Sequence, residues 1–508
     1  MSGTAFAQLI AILAMPALTR IYAPEAFGIL GIFIAVTGII GVVVCMRYEL
    51  AIVLPQSDLE AKKLFQLSLY FTLAWTLVSV IVIALTKDRI DIFTASNSFS
   101  QYIWLIPAGI AVHGLHLAVS HWNTRKAQFG YLAGSNVTQS LTTTGIKLGA
   151  GFAGLATGGI LVIATIAGRL LATVQLIIAW YQQEKKRINR SAPGAVKNRS
   201  FNDSGNENEI YSDALSGRVT DNKTGSESDF KPDSIWQLSI RYRNISVFNS
   251  MSSLFNIAAQ YAPILVLSFL FTPSVAGHYV LGYKILKAPS GLLGKSTKKV
   301  FYQRASETHQ QTGDMAKWVG EVSKNLTMIG LFFMTLMITG LSPLVTTIFG
   351  DEWTVAGSYI PWIAIWVIFA FIANPLGSMA TILSKEHIVL LFHVAFSVIQ
   401  IAALAVGGIL LGSAFSAVVL YSLTGAVYHG SMLVWLLRIS RVSVSLYLVD
   451  MAPFIGISLL FIGTYGLVGT DKLTMVWLLA LNLLYAAIYL FFSRYAWSRL
   501  VARLQQTQ

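Results

Sequence analysis

Residues 26–46 read AFGILGIFIAVTGIIGVVVCM, twenty-one residues without a charge, and Arg47 follows at once. At about 1.5 Å of rise per residue, a helix of that length crosses the roughly 30 Å of hydrocarbon in a bilayer. The rest of the chain repeats the pattern. Apolar runs recur near residues 3–19, 26–46, 64–86, 102–120, 130–153, 159–181, 245–271, 273–293, 319–343, 355–383, 388–411, 413–437, 450–468 and 473–493. The expected fold is an all-α polytopic membrane protein with about 14 transmembrane helices. A β-barrel is excluded, because its strands would show alternation over ten residues rather than continuous runs.

Composition agrees. The 508 residues are 55% hydrophobic and only 12% charged, where soluble proteins average about 25% charged. Mean hydropathy is +0.63. The one cysteine, Cys45, rules out a disulfide framework and a Cys-ligated metal site, and inside an apolar run it reads as a small packing residue. The opening Met1-Ser2-Gly3-Thr4 lacks a positive segment before its apolar stretch, so the first run is expected to be a retained helix and not a cleaved signal.

Basic residues orient the helices, since Lys and Arg gather on the cytoplasmic side. Placing the amino terminus inside puts 27 of the 36 Lys and Arg there, and only Arg20, Lys87, Arg89 and Lys472 outside. Both termini are therefore expected in the cytoplasm, with an even number of spans. The net charge of +13 is accounted for by anionic inner-leaflet lipid and needs no nucleic acid.

From Gln182 to Ile235 the chain turns polar, rich in Ser, Asn, Gly and charge, and is expected to form a flexible cytoplasmic connection. It divides the molecule into an N-terminal six-helix lobe (1–181), the linker (182–235), a C-terminal six-helix lobe (236–441) and an additional helix pair with a tail (442–508). The two lobes look like pseudo-repeats: Pro24-Glu25-Ala26-Phe27-Gly28 opens the second span, and Pro273-Ser274-Val275-Ala276-Gly277 opens the eighth. Proline at a helix start loses no hydrogen bond, and repeated halves around a midplane site are a transporter design.

Function is sought in the polar residues at depth, because a charge near the bilayer centre costs about 2.5–3.5 kcal/mol. Asn136, Ser140, Thr143 and Lys147 share one helical face, as do Ser246, Asn249, Ser253, Asn256 and Gln260. Two readings stand open for these stripes, a wet surface between the lobes or hydrogen bonding between packed helices. Arg169 and Lys284 lie near mid-depth, and Lys287 lies closer to an end from which it can snorkel. A cleft bearing Lys147, Arg169 and Lys284 would be cationic and draw a phosphate or diphosphate. Acids at depth are scarce, Glu49 and Asp450 being the candidates, which weakens a carboxylate relay. His113, His116 and His121 have no acidic or Cys neighbour in sequence, so no metal site and no cofactor is expected. The chain has no D-x-D motif and no large outward domain, which counts against an enzyme.

Ser2-Gly3-Thr4-Ala5-Phe6-Ala7-Gln8, Leu18-Thr19-Arg20-Ile21-Tyr22-Ala23-Pro24-Glu25-Ala26-Phe27-Gly28 and Arg47-Tyr48-Glu49-Leu50-Ala51-Ile52-Val53-Leu54-Pro55 resemble the polysaccharide transporter (oligosaccharide flippase) family of the multidrug/oligosaccharidyl-lipid/polysaccharide exporter superfamily. The resemblance implies a bacterial inner-membrane flippase that moves an undecaprenyl-diphosphate-linked oligosaccharide between leaflets by alternating access, for O-antigen, capsule or exopolysaccharide. Its partners would be the lipid-linked substrate, membrane lipid and polysaccharide polymerase or assembly proteins. It further implies basic cleft residues that meet the diphosphate, with Arg20 and Arg47 at motif positions. The alternatives are a small-molecule efflux antiporter on the same fold and, third, a polysaccharide polymerase or membrane glycosyltransferase.

Overall fold

The computed structural model describes residues 2–86, 99–191, 234–288, 315–467, 477 and 479–493, and every segment with regular structure there is helical. In chain order the helices are α1 Ser2–Leu13, α2 Met15–Ile21, α3 Pro24–Val43, α4 Tyr48–Ala51, α5 Asp58–Thr86, α6 Leu105–Arg125, α7 Phe129–Phe152, α8 Gly158–Ser191 and α9 Ile235–Leu270. After these come α10 at 273–288, α11 Ala316–Leu336, α12 Ser342–Phe349, α13 Thr354–Leu376, α14 Ser378–Ile382, α15 Glu386–Ala405, α16 Ala414–Ile439, α17 Val444–Leu467 and α18 Leu479–Ser493.

Ten helical segments among the described residues are long and apolar enough to cross a membrane. Two further expected spans, α6 and α7, are helices of 21 and 24 residues whose His, Ser, Thr and Asn content lowers their hydropathy. The chain is a multi-pass membrane protein. Interruptions follow local chemistry. Pro16 falls in the first turn of α2, where it separates α2 from α1, and a π-turn at Met337–Leu341 precedes Pro343. Helix α8 runs to Ser191, beyond the expected end at 181, because Gln, Glu, Lys and Arg are good helix formers even after the apolar run stops. Of the expected linker, residues 192–233 lie outside the described residues. Helix α9 starts with a capping box: the Gln237 backbone N–H donates to Ser234 Oγ at 3.2 Å, and the Ser234 N–H donates to Gln237 Oε1 at 2.8 Å.

Helix alternation defines two faces, a turn face carrying the α2–α3 and α9–α10 turns and a linker face carrying the α3–α5 connection, the end of α8 and the start of α9. Helix α9 bridges the halves of the chain, packing on α3, α4 and α5 and on α15 and α16. Its first turns bury Leu238 beside Tyr48, Leu64 and Trp122 of the first half, and the Tyr48 hydroxyl donates to the Ser239 carbonyl at 3.0 Å. Deeper in, Ala262, Ile264 and Leu267 join the main core with Phe27, Leu30 and Phe33 of α3. The last helices form a satellite on α11, where Tyr489 donates to the Met328 carbonyl at 2.7 Å and Lys324 pairs with Asp450 of α17 at 2.7 Å.

Candidate functional site

On the turn face the halves are locked together. Helices α3 and α10 cross at their first turns, and the crossing is reciprocal: a Cβ on Gly28 would collide with the Pro273 carbonyl oxygen, and one on Gly277 with that of Pro24. The two P-x-x-x-G turns of the sequence are thus the two sides of one contact, each glycine making room for the other motif's proline carbonyl. Around it, the Trp353 indole N–H donates to the Thr19 carbonyl at 2.9 Å, and the Trp353 ring meets Phe27 edge-on at 5.0 Å. Arg20 belongs to this seal. Its Nη2 and Nε donate to the Thr347 and Ile348 carbonyls at 2.7 and 3.4 Å, which are the unsatisfied last carbonyls of α12 and its negative dipole end.

Beneath the seal lie the two lysines expected in a cleft. Lys147 on α7 sits where the Tyr22 hydroxyl donates to its carbonyl at 2.7 Å. Lys284 on α10, in the other half of the chain, lies 5.9 Å from the centroid of the Phe27 ring. Neither ammonium has a carboxylate within ion-pair distance among the described residues. Arg169, on α8, hydrogen-bonds through Nη1 to His113 Nδ1 of α6 at 2.6 Å and faces Tyr261 of α9. A guanidinium has no acceptor to offer, so His113 Nδ1 accepts and its ring is neutral.

This partner was not legible in the sequence, where His113 stands 56 residues away. His116 is equally occupied, with Nδ1 2.9 Å from Thr173 Oγ1, and among the described residues no group of three His, Cys, Asp or Glu is placed to hold a metal.

The two polar stripes divide. On α7, Asn136 Nδ2 donates to Thr4 Oγ1 at 3.3 Å and Ser140 donates to the Ala7 carbonyl at 2.6 Å, so this part of the stripe fastens α1 rather than lining water. On α9, Asn256 and Gln260 point into the second half, linked to His393 and Lys287; the side chain of Asn249 lies outside the described residues, as does that of Ser246. Arg47, in a turn with Met46 and Arg47 at φ 48° and 59°, lies 3.8 Å from Glu49 on the linker face, remote from the Lys147–Lys284 pair. With Glu49 turned to Arg47 and Asp450 to Lys324, both deep acids are engaged elsewhere.

The two helical halves are thus sealed at one face, with cations contributed by both beneath it. The chain belongs to the polysaccharide biosynthesis protein family, whose model matches residues 17–196 and 227–358. Its fold is that of a solved lipid II flippase, MurJ, in an inward closed conformation, with a TM-score of 0.70 at 12% identity over 98% of each chain. It is also similar, with a TM-score of 0.59 at 12% identity over 85% of this chain and 94% of the other, to an inward-facing multidrug resistance MATE family transporter of the MOP superfamily. No curated protein matches the chain.

Proposed function

We propose that the protein is a flippase that carries an undecaprenyl-diphosphate-linked oligosaccharide, such as an O-antigen, capsule or exopolysaccharide repeat unit, across the bacterial inner membrane. The observation that carries this reading is the set of cations at depth, Lys147, Lys284 and Arg169, drawn from both halves and unmatched by any carboxylate among the described residues. Like charges held near one another in low dielectric are unfavourable alone and become favourable once a dianion sits among them. A diphosphate supplies that charge at the point where headgroup meets lipid, so the sugar occupies the chamber and the isoprenoid tail stays in the bilayer.

Alternating access follows from the seal. The reciprocal glycine crossing, Arg20 and Trp353 close the turn face, which the basic bias assigns to the periplasm, with both termini in the cytoplasm. The lobes at 1–181 and 236–441 rock about α9, which opens and closes this contact, while α17 and α18 pack on α11, and lipid-linked substrate enters from the linker face. A polymerase or other assembly protein would receive the unit on the far side. The MATE-like fold also suits a cationic-drug antiporter, but such a substrate needs acidic groups, and those at depth are paired away from the chamber.

The test is charge reversal. Arg169→Glu combined with Lys284→Glu is expected to abolish surface polysaccharide while the protein still inserts at wild-type level. Normal polysaccharide in that strain contradicts the reading, and restored drug efflux assays would identify an antiporter instead.

A further inference from the structure

The second half contains a separate recess of about 110 Å³, bounded by α9, α10, α13, α15 and α16. Lys287 stands exposed at its mouth, and its Nζ donates to Gln260 Oε1 at 3.2 Å and to the Tyr283 hydroxyl at 2.8 Å. From there a chain of hydrogen bonds runs inward. Gln260 Nε2 donates to Asn256 Oδ1, Asn256 Nδ2 donates to His393 Nδ1 at 3.1 Å, and the Tyr428 hydroxyl donates to the same nitrogen at 2.6 Å. An ammonium can only donate, so Lys287 fixes the direction of every step behind it.

Two buried groups in this recess are left over. Trp366 is 5% exposed and its indole N–H has no partner, and His429 Nδ1 has none either among the described residues. Native interiors rarely strand such atoms, and a polar cavity of this size is built to satisfy them with something that enters. The Trp366 indole stacks with Tyr283 and with His429, each at 5.7 Å between ring centroids. No carboxylate lines the recess, while Lys287 supplies one fixed positive charge and Asn256, Gln400 and Asn374 supply amides.

We infer that this recess binds one ring of a carboxylate-bearing sugar, with the carboxylate at Lys287 and ring hydroxyls against the Trp366 N–H and the amides. One cation answers one negative charge, in contrast to the several that surround the diphosphate position. Mixed donors and acceptors answer hydroxyls. At about 110 Å³ the recess is smaller than the roughly 150 Å³ cavity that holds benzene, so at most one ring enters, its carboxylate edge standing at the mouth beside Lys287, and not a chain of them. The inference rests on the flippase reading and narrows its substrate class to acidic oligosaccharides.

Calorimetric titration of the full chain in lipid nanodiscs, with glucuronate, glucose and pyrophosphate as separate probes, tests it. Glucuronate is expected to bind at least tenfold more tightly than glucose. Lys287→Met removes that preference, Lys287→Arg keeps it, and Trp366→Phe weakens glucuronate about threefold. Equal affinity for the two sugars, or a preference that survives Lys287→Met, overturns the inference. Pyrophosphate binding without glucuronate binding overturns the recess alone, whereas glucuronate binding with no pyrophosphate binding supports the recess and counts against the chamber.

Discussion

Lys147 and Lys284 are half-buried cations with no carboxylate within ion-pair distance among the described residues. Each ammonium is partly withdrawn from water, and like charges brought together in low dielectric disfavour one another. Replacing either by Met is therefore expected to raise thermal stability, by on the order of 1 kcal/mol, while weakening pyrophosphate binding at least tenfold. A thermal melt read beside a titration checks both signs, and a variant that loses stability and keeps affinity would assign the lysines a structural role. Their place within apolar runs was readable from the sequence, since charge there stands out. The pairing of Arg169 with His113 was not, because a contact between α6 and α8 leaves no local pattern. Glu49, between α3 and α5, gives a pH signature. Burial raises its carboxyl above the usual range, against weaker lowering by a backbone hydrogen bond and Arg47. The folded state thus holds the proton more tightly than the unfolded one, and the stability this contributes is lost as pH rises from the ordinary glutamate value through the folded one. Glu49→Gln is expected to flatten that decline in melting temperature, and an unchanged slope would show that the group is solvated.

At the scale of elements, the crossing of α3 and α10 is the most constrained contact. The repeat P-x-x-x-G in both halves was visible in the sequence, but its meaning was not, because nothing in either copy says that each glycine faces the other copy's proline. Gly28→Ala or Gly277→Ala places a methyl group against a backbone carbonyl that cannot move aside, and overpacking of this kind costs about 1–3 kcal/mol. Since the clash exists only when the turn face is closed, the expected result is a shift toward the open state. Cysteines at Arg20 and Thr347, cross-linked in membranes, should react at least fivefold less in the alanine variants, and undiminished cross-linking would contradict the sealing role. The α7 stripe shows the opposite limit of sequence reading. Asn136, Ser140 and Lys147 are indistinguishable as a periodic face, yet the first two serve helix packing, while the third has no carboxylate within ion-pair distance among the described residues. Helix periodicity fixes which side chains share a face and is silent on what covers it.

For the whole molecule, hydropathy carried most of the helical fold, because a bilayer permits few solutions and the apolar runs declare which one is used. What remained hidden was the relation between the halves, namely the bridging by α9, the seal on the turn face and the recess in the second half, all of which depend on contacts between residues far apart in sequence. The central claim is that paired cations between the halves carry a diphosphate across the membrane. It is tested most directly by reconstituting the protein in liposomes loaded with undecaprenyl-diphosphate-linked oligosaccharide and following the arrival of the headgroup in the opposite leaflet. The wild-type protein is expected to accelerate that transfer, and Lys147→Met with Lys284→Met to slow it at least tenfold at equal insertion. Equal rates for the two proteins would contradict the account.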